Sequence, residues 1–309
     1  MFKRILTPLD GSTLSEGILP YIRALAPALG ARVDLLRTYQ DLAYELTPSD
    51  DLDSASVMTA LEPIARRLHN QVENYLDRIA GSLKPLGVPT YLMVRSGPAA
   101  DIIVAEAEEV EDTLIAMSTH GRTGLGRWIM GSVTDRVLHT TNAPLLVVHP
   151  ERGAPSVDST ADIRTLIVPL DESDLAETVL PVAAEVAKAT GAGVLLAETV
   201  GVPSGYYPDQ DSVGALGVGI VSQMEDQAEE YLGARAAEIR RLGVQNVRTS
   251  VTRGTAAAEI EELARATPDS MIIACTHGRS GVGRTVLGSV TDRLARHSGH
   301  PALIVRAPH

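Results

Sequence analysis

Residues 119–136 read THGRTGLGRWIMGSVTDR, and residues 276–293 read THGRSGVGRTVLGSVTDR. The two stretches agree at 13 of 18 positions, 157 residues apart. The first follows an apolar run, TLIAMS (113–118), and leads into another. Repetition at this length indicates one structural unit written twice.

Other landmarks repeat with it. Pro8, Leu9 and Asp10 align with Pro169, Leu170 and Asp171 at an offset of 161. Gly30 with Gly191, and Thr38 with Thr199, keep that offset, whereas Gly97 and Gly254 return to 157. The second copy is therefore four residues shorter in its middle. The expected domains are 1–149 and 163–309. Residues 150–162 form a polar link whose Pro and Gly break any apolar period.

Within a copy, short apolar runs alternate with longer amphipathic ones. In the first, ILTPL reads as a strand, and 14–30 as a helix closed at Gly30 by a glycine C-cap. VDLLRTY is a second strand. A long helix over roughly 56–86 places Ile64, Leu68, Val72, Tyr75, Leu76 and Ile79 on one face. TYLMVR, TLIAMS and APLLVVH complete five strands, with helices over ADIIVAEAEEV and 131–140 between them. Such alternation predicts an α/β fold with two tandem doubly wound, five-stranded parallel sheets. Ligands of such sheets sit outside the carboxyl ends of the strands, where strand order reverses. Asp10 and the glycine loop lie at two such ends.

Composition narrows the function. Hydrophobic residues make up 44% and charged residues 21% of the 309, as in ordinary globular domains. A net charge of −12 and only 3% aromatics argue against nucleic-acid binding. The single cysteine, Cys275, rules out an internal disulfide and fits a reducing compartment. No run is long and apolar enough for a membrane span, and MFKRILTPLDGS lacks the core of a signal peptide. A cytoplasmic protein is expected.

Two familiar phosphate loops do not fit. The dinucleotide pattern fails because Ile129 and Val286 stand where its third glycine is needed. The P-loop fails for want of its lysine: Arg127 follows Gly126, and Arg284 follows Gly283. A helix starting at Gly131 still offers unpaired amides and a partial positive charge to a phosphate. Gly121 and Gly131 let the chain turn tightly, and Ser132 adds a hydroxyl. Alternatively Ser132 and Ser289 cap their own helices. Asp10 and Asp171 likewise read either as caps of the first helix or as ligand contacts.

The spacing resembles the universal stress protein family, whose ATP-binding members carry G-x2-G-x9-G-[ST] between the fourth strand and fourth helix. The second and third glycines match Gly121 and Gly131 before Ser132, and Gly278 and Gly288 before Ser289. Ser118 and Cys275 occupy the first glycine position. The resemblance spans essentially the whole chain, twice. It implies a Rossmann-like, adenine nucleotide hydrolase-like sheet of strand order 3-2-1-4-5 in each repeat. It also implies an adenine nucleotide ligand, ATP or else AMP or ADP, with Mg2+.

The implied contacts are Pro8, Leu9, Asp10, Thr38, Met117, Ser118, Gly121, Gly131, Ser132 and Val133. In the second repeat they are Pro169, Leu170, Asp171, Thr199, Ala274, Cys275, Gly278, Gly288, Ser289 and Val290. Asp10 and Asp171 would accept hydrogen bonds from adenine or ribose, and Thr38 and Thr199 would line the base pocket. The family's fifth strands pair across a two-fold axis, which here implies an internal pseudo-dimer and leaves room for a homodimer.

His120 and His277 lack second ligands at metal spacing, so no protein metal site is expected. Arg122, Arg127, Arg279 and Arg284 are loop cations that can offset phosphate charge or simply be solvated. Cys275 reads as a small packing residue, with a redox sensor as the alternative. Three functions compete: a nucleotide-dependent stress-response regulator, a slow ATPase, and a nucleotide-free scaffold. No catalytic residues are assigned, because no acid–base cluster accompanies the aspartates.

Overall fold

The computed structural model describes residues 2–39, 54–119, 130–149, 158–201, 213–276 and 288–307. The chain forms two compact units. One contains Phe2–Ala143 and Arg152–Thr160, the other Pro144–Glu151 and Ala161–His309.

The first unit begins with β1 (Arg4–Pro8), a 3-10 turn (Ser15–Ile18) and α1 (Leu19–Leu29). Then come β2 (Arg32–Tyr39), α2 (Ser54–Leu83), β3 (Thr90–Ser96), α3 (Ala99–Glu108), β4 (Thr113–Ser118) and α4 (Ser132–Thr140). Its strands run parallel, with β1 between β2 and β4, and β3 beside β2. Every residue of β4 is buried, as expected of a parallel strand covered on both faces. The core gathers Ile5, Leu6, Leu35, Leu36, Leu114 and Ile115 from the sheet, with Ile22 and Leu25 of α1.

Gly30 ends α1 at φ 63°, and Gly191 ends its counterpart at φ 77°, where an L side chain would be strained. The face expected on the long helix is buried at Val72, Leu76 and Ile79, but Ile64 is exposed. The reason is length. Thirty helical residues extend about 45 Å, whereas a seven-residue strand extends about 23 Å, so α2 overruns the sheet it covers.

A charged pair is buried beneath the first sheet. Arg4 donates from Nε to Asp34 Oδ2 (2.5 Å) and from Nη1 to the Glu106 carbonyl (2.6 Å). Both side chains are almost wholly buried. Glu106 also accepts from Arg95. The second repeat has Thr165 and Leu195 at the Arg4 and Asp34 positions.

The other unit holds β5 (Leu145–Val148), β6 (Thr165–Leu170), α5 (Asp174–Glu177), α6 (Leu180–Thr190), β7 (Gly193–Val200) and α7 (Val213–Arg241). It continues with β8 (Val247–Arg253), α8 (Ala256–Ala266), β9 (Ser270–Thr276), α9 (Ser289–His297) and β10 (Ala302–Arg306). Strands β6 to β10 are parallel in the expected order, with β6 between β7 and β9, and β8 and β10 outermost. Strand β5 lies antiparallel to β10 within this unit, Leu146 opposite Leu303. The last strand of the first repeat thus covers the edge that β10 would otherwise leave open.

Candidate functional site

In the first unit the carboxyl ends of β1, β2 and β4 open into one cavity of about 230 Å3. Strand β1 supplies Pro8, Leu9 and Asp10, β2 supplies Leu36 and Thr38, and β4 supplies Met117 and Ser118. Gly131, Ser132, Val133 and Thr134 at the start of α4 close one side, and Ala99 and Ile103 of α3 another. This is where strand order reverses about β1, and where open α/β sheets bind ligands. Nine of the ten positions singled out in this repeat meet here; Gly121 lies outside the described residues.

Asp10 does not cap the first helix. Its Oδ1 accepts from the backbone N–H of Ser12 (2.9 Å) and from the Ser12 hydroxyl (2.6 Å). Ser12 Oγ in turn accepts from the Ser15 N–H (3.1 Å). In the second repeat Asp171 Oδ1 accepts from Ser173, and Ser173 caps α5 by accepting from the Ala176 N–H. Each aspartate therefore orients the serine two residues on, which leaves its carboxylate at the wall of the cavity.

The helix starts also differ from the capping alternative. Gly131 and Gly288 are themselves the N-caps and have no side chain to offer, so Ser132 and Ser289 stand inside α4 and α9 rather than at the cap. The first amides of α4 have no acceptor within the helix, and the residues that carry them line the cavity. Neither glycine is demanded by a tight turn, since φ is −60° at Gly131 and −56° at Gly288. A Cβ built on Gly288 meets nothing within 4 Å. Packing among the described residues therefore gives no reason for glycine at 288; a close approach by a ligand would.

Ser118 donates to the Leu14 carbonyl (2.8 Å), and its own carbonyl accepts from the Thr134 hydroxyl (3.0 Å). The second repeat meets the same need differently. Thr178 donates to Leu175, the counterpart of Leu14, and lies 3.0 Å from Cys275 Sγ. The Cys275 carbonyl accepts from Thr291 (3.0 Å). Burial pushes the Cys275 thiol above its ordinary pKa, against the opposing effect of Thr178. That favours the packing role over a thiolate sensor.

The cavity of the second repeat is about 110 Å3, half the size of the first. It brings together Pro169, Leu170, Asp171, Thr199, Ala274, Cys275 and Val290. Gly288 and Ser289 are not part of its lining, and Gly278 lies outside the described residues. Thr199 shares a hydrogen bond with Thr252 (2.9 Å).

Electrostatics separate the repeats further. Burial first, then Glu172 and Asp171, push the Glu198 carboxyl up to about 7. At the matching position of the first repeat stands Arg37. Its guanidinium lies 5.2 Å from the Tyr75 ring centre, and its Nη1 fills the space where a Cβ on Gly11 would sit.

Sequence reading missed Ser15, Leu36, Ala99, Ile103 and Thr134 in the first cavity, and Ala176, Ala197, Ala256, Ile260 and Thr291 in the second. The repeat itself carried a signal for them. Ala99 pairs with Ala256, Ile103 with Ile260 and Thr134 with Thr291, all at the offset of 157. His120, His277 and the four loop arginines lie outside the described residues. Among the described residues no His, Cys, Asp and Glu group could hold a metal ion. No described helix is long and apolar enough to cross a membrane.

The universal stress protein family matches residues 1–149 and again 162–306. A universal stress protein of Methanocaldococcus jannaschii is 29% identical over 156 residues, 48% of this chain and 95% of its own length. One from Mycolicibacterium smegmatis is 25% identical over 303 residues, covering 98% of this chain and 96% of its own. The crystal structure of a universal stress protein from Archaeoglobus fulgidus superposes at a TM-score of 0.66 and 20% identity, with 98% of each chain covered. Two matched segments and a full-length relative place this chain: it belongs to the universal stress protein family and carries two of its repeats in tandem.

Proposed function

We propose that this protein binds an adenine nucleotide, ATP or its relatives AMP and ADP, in one or both repeats, and acts as a nucleotide-dependent stress-response regulator. The observation that carries the reading is the first cavity. It joins an apolar wall (Leu36, Ile103, Met117) to a carboxylate (Asp10) and an uncapped helix start (Gly131–Thr134). An apolar slot suits a base, a carboxylate suits ribose hydroxyls, and helix amides suit phosphate. Mg2+ would arrive with the phosphates, which supply oxygen ligands, and would offset their charge.

The repeats act as domains 1–149 and 163–309 joined by 150–162. An internal pseudo-dimer through the last strands belongs to the same reading, supported by the antiparallel pairing of β5 with β10. A homodimer of chains would show as twice the mass in solution. The nucleotide reading is tested by titrating the full chain with millimolar ATP and Mg2+ while following thermal melting and the fluorescence of Trp128. A rise in melting temperature by mass action supports it. No change in either signal favours the scaffold instead.

A further inference from the structure

We infer that the two repeats are unequal ligand sites: the first takes the anionic nucleotide and the second refuses it, with Glu172 and Glu198 as the specificity-determining residues. The inference rests on the nucleotide reading and goes beyond it by assigning the site and its electrostatic cause.

Two positions have changed together between the repeats. Gly11 and Arg37 of the first correspond to Glu172 and Glu198 of the second. They are in contact in the first repeat, because the Arg37 guanidinium occupies the room above Gly11. A side chain at position 11 would therefore require the Arg37 guanidinium to move aside. The second repeat holds a glutamate at the equivalent left-handed position, φ 61° at Glu172, held by Gln227 Nε2 at 3.2 Å from both carboxylate oxygens. A cation beside the Asp10 loop has thus become a pair of carboxylates beside Asp171.

Asp171 lines the second cavity; Glu172 follows it in the chain and Glu198 stands on β7 between the lining residues Ala197 and Thr199, so the added carboxylates flank the cavity and act on a bound anion through space. Like charges at close range in partly buried surroundings disfavour a further anion by roughly tenfold or more. Other differences act in the same direction. The Thr199 hydroxyl of the second wall is engaged by Thr252. The cavity is half as large although Ala197 and Ala274 are smaller than Leu36 and Met117. The start of α9 contributes only Val290 and Thr291 to it, whereas α4 contributes from Gly131 onward.

Isothermal calorimetry of the full chain with ATP and Mg2+ at pH 8, above the value of about 7 to which the Glu198 carboxyl is raised, tests this. The expected stoichiometry is about one per chain. It should be lost in Gly131→Val and unchanged in Gly288→Val. In the double variants Glu172→Gly with Glu198→Arg, and Glu172→Gln with Glu198→Gln, a second binding event should appear. The first variant restores the charge of the other repeat, and the second only neutralises, so a misfolded arginine variant does not decide the outcome. Two equal sites in the parent chain, or loss of binding in Gly288→Val, would overturn the inference and leave nucleotide binding standing. A stoichiometry that stays at one in both double variants would remove the carboxylates as its cause. No binding by any of these chains would overturn both readings together.

Discussion

The hydroxyl of Ser118, at the end of β4, donates to the carbonyl of Leu14, 2.8 Å away and 104 residues earlier in the chain. It ties the last residue of β4 to the turn that opens the first helical segment. A serine at the first glycine position of the family motif is therefore a working part of the fold. The second repeat feeds the matching carbonyl, Leu175, from Thr178, and Thr178 exists there because Gly17 has become threonine.

Replacing Ser118 by cysteine alone should leave the Leu14 carbonyl without this donor and cost about 1 kcal/mol. Adding Gly17→Thr should recover most of that loss by rebuilding the second repeat's arrangement. Urea midpoints of the parent, both single variants and the double variant close the cycle; additive losses would reject the coupling.

The buried pair of Arg4 and Asp34 should behave as a unit. Arg4→Thr alone leaves a buried carboxylate that keeps, among the described residues, the half-exposed Arg32 as its cation, with an expected cost of about 3 kcal/mol or more. Asp34→Leu alone leaves the buried guanidinium with the Glu106 carbonyl but without its carboxylate, at a similar cost. The double variant copies Thr165 and Leu195 of the second repeat, and chemical denaturation should find it more stable than either single variant. A double variant as unstable as the sum of the two would contradict this.

Glu198 should make stability fall toward alkaline pH. Its folded carboxyl is raised to about 7, chiefly by burial, with Glu172 and Asp171 adding to the effect. The folded state therefore holds this proton more tightly than the unfolded chain does. That contribution is complete below the ordinary glutamate range and is lost as pH rises through about 7. Glu198→Gln should match the parent at pH 5 and melt higher at pH 8. Solvent screening of a half-exposed group limits the gain to about 1 kcal/mol. Equal melting at both pH values would argue against a strained carboxylate.

Cys275 should be a slow thiol. Burial raises its pKa, so the thiolate is scarce near neutrality and access is partial. Iodoacetamide should label the folded protein far more slowly than the urea-unfolded chain, and Cys275→Ser should leave nucleotide binding intact. Rapid labelling of the folded protein would restore the redox alternative.

Much of the architecture can be read from residues close together in the chain. Strand and helix periods, the glycine C-caps at Gly30 and Gly191, and the duplicated loop are local patterns or exact echoes. The same is true of Pro8–Asp10, Met117, Ser118 and Gly131–Val133 as candidate walls, because strand ends in a parallel sheet converge. The roles of Asp10 and Ser132 were not legible, since capping or not depends on which serine or glycine stands at the helix entry. Ser15, Ala99 and Ile103 were also out of view, because their place in the wall depends on how the segments pack over β1 and β4.

The sequence by itself determined that this is one α/β unit written twice, with its glycine and aspartate signals at strand ends. Backbone propensity and apolar period act over a few residues, and repetition carries them from one copy to the other. Only the tertiary structure decided that Arg37 sits over Gly11, that Glu198 feels Glu172 and Asp171, and that Ser118 reaches Leu14. Those pairs span tens of residues and are brought together by the sheet. Their energies depend on burial and distance, which exist only once the strands have closed against their helices.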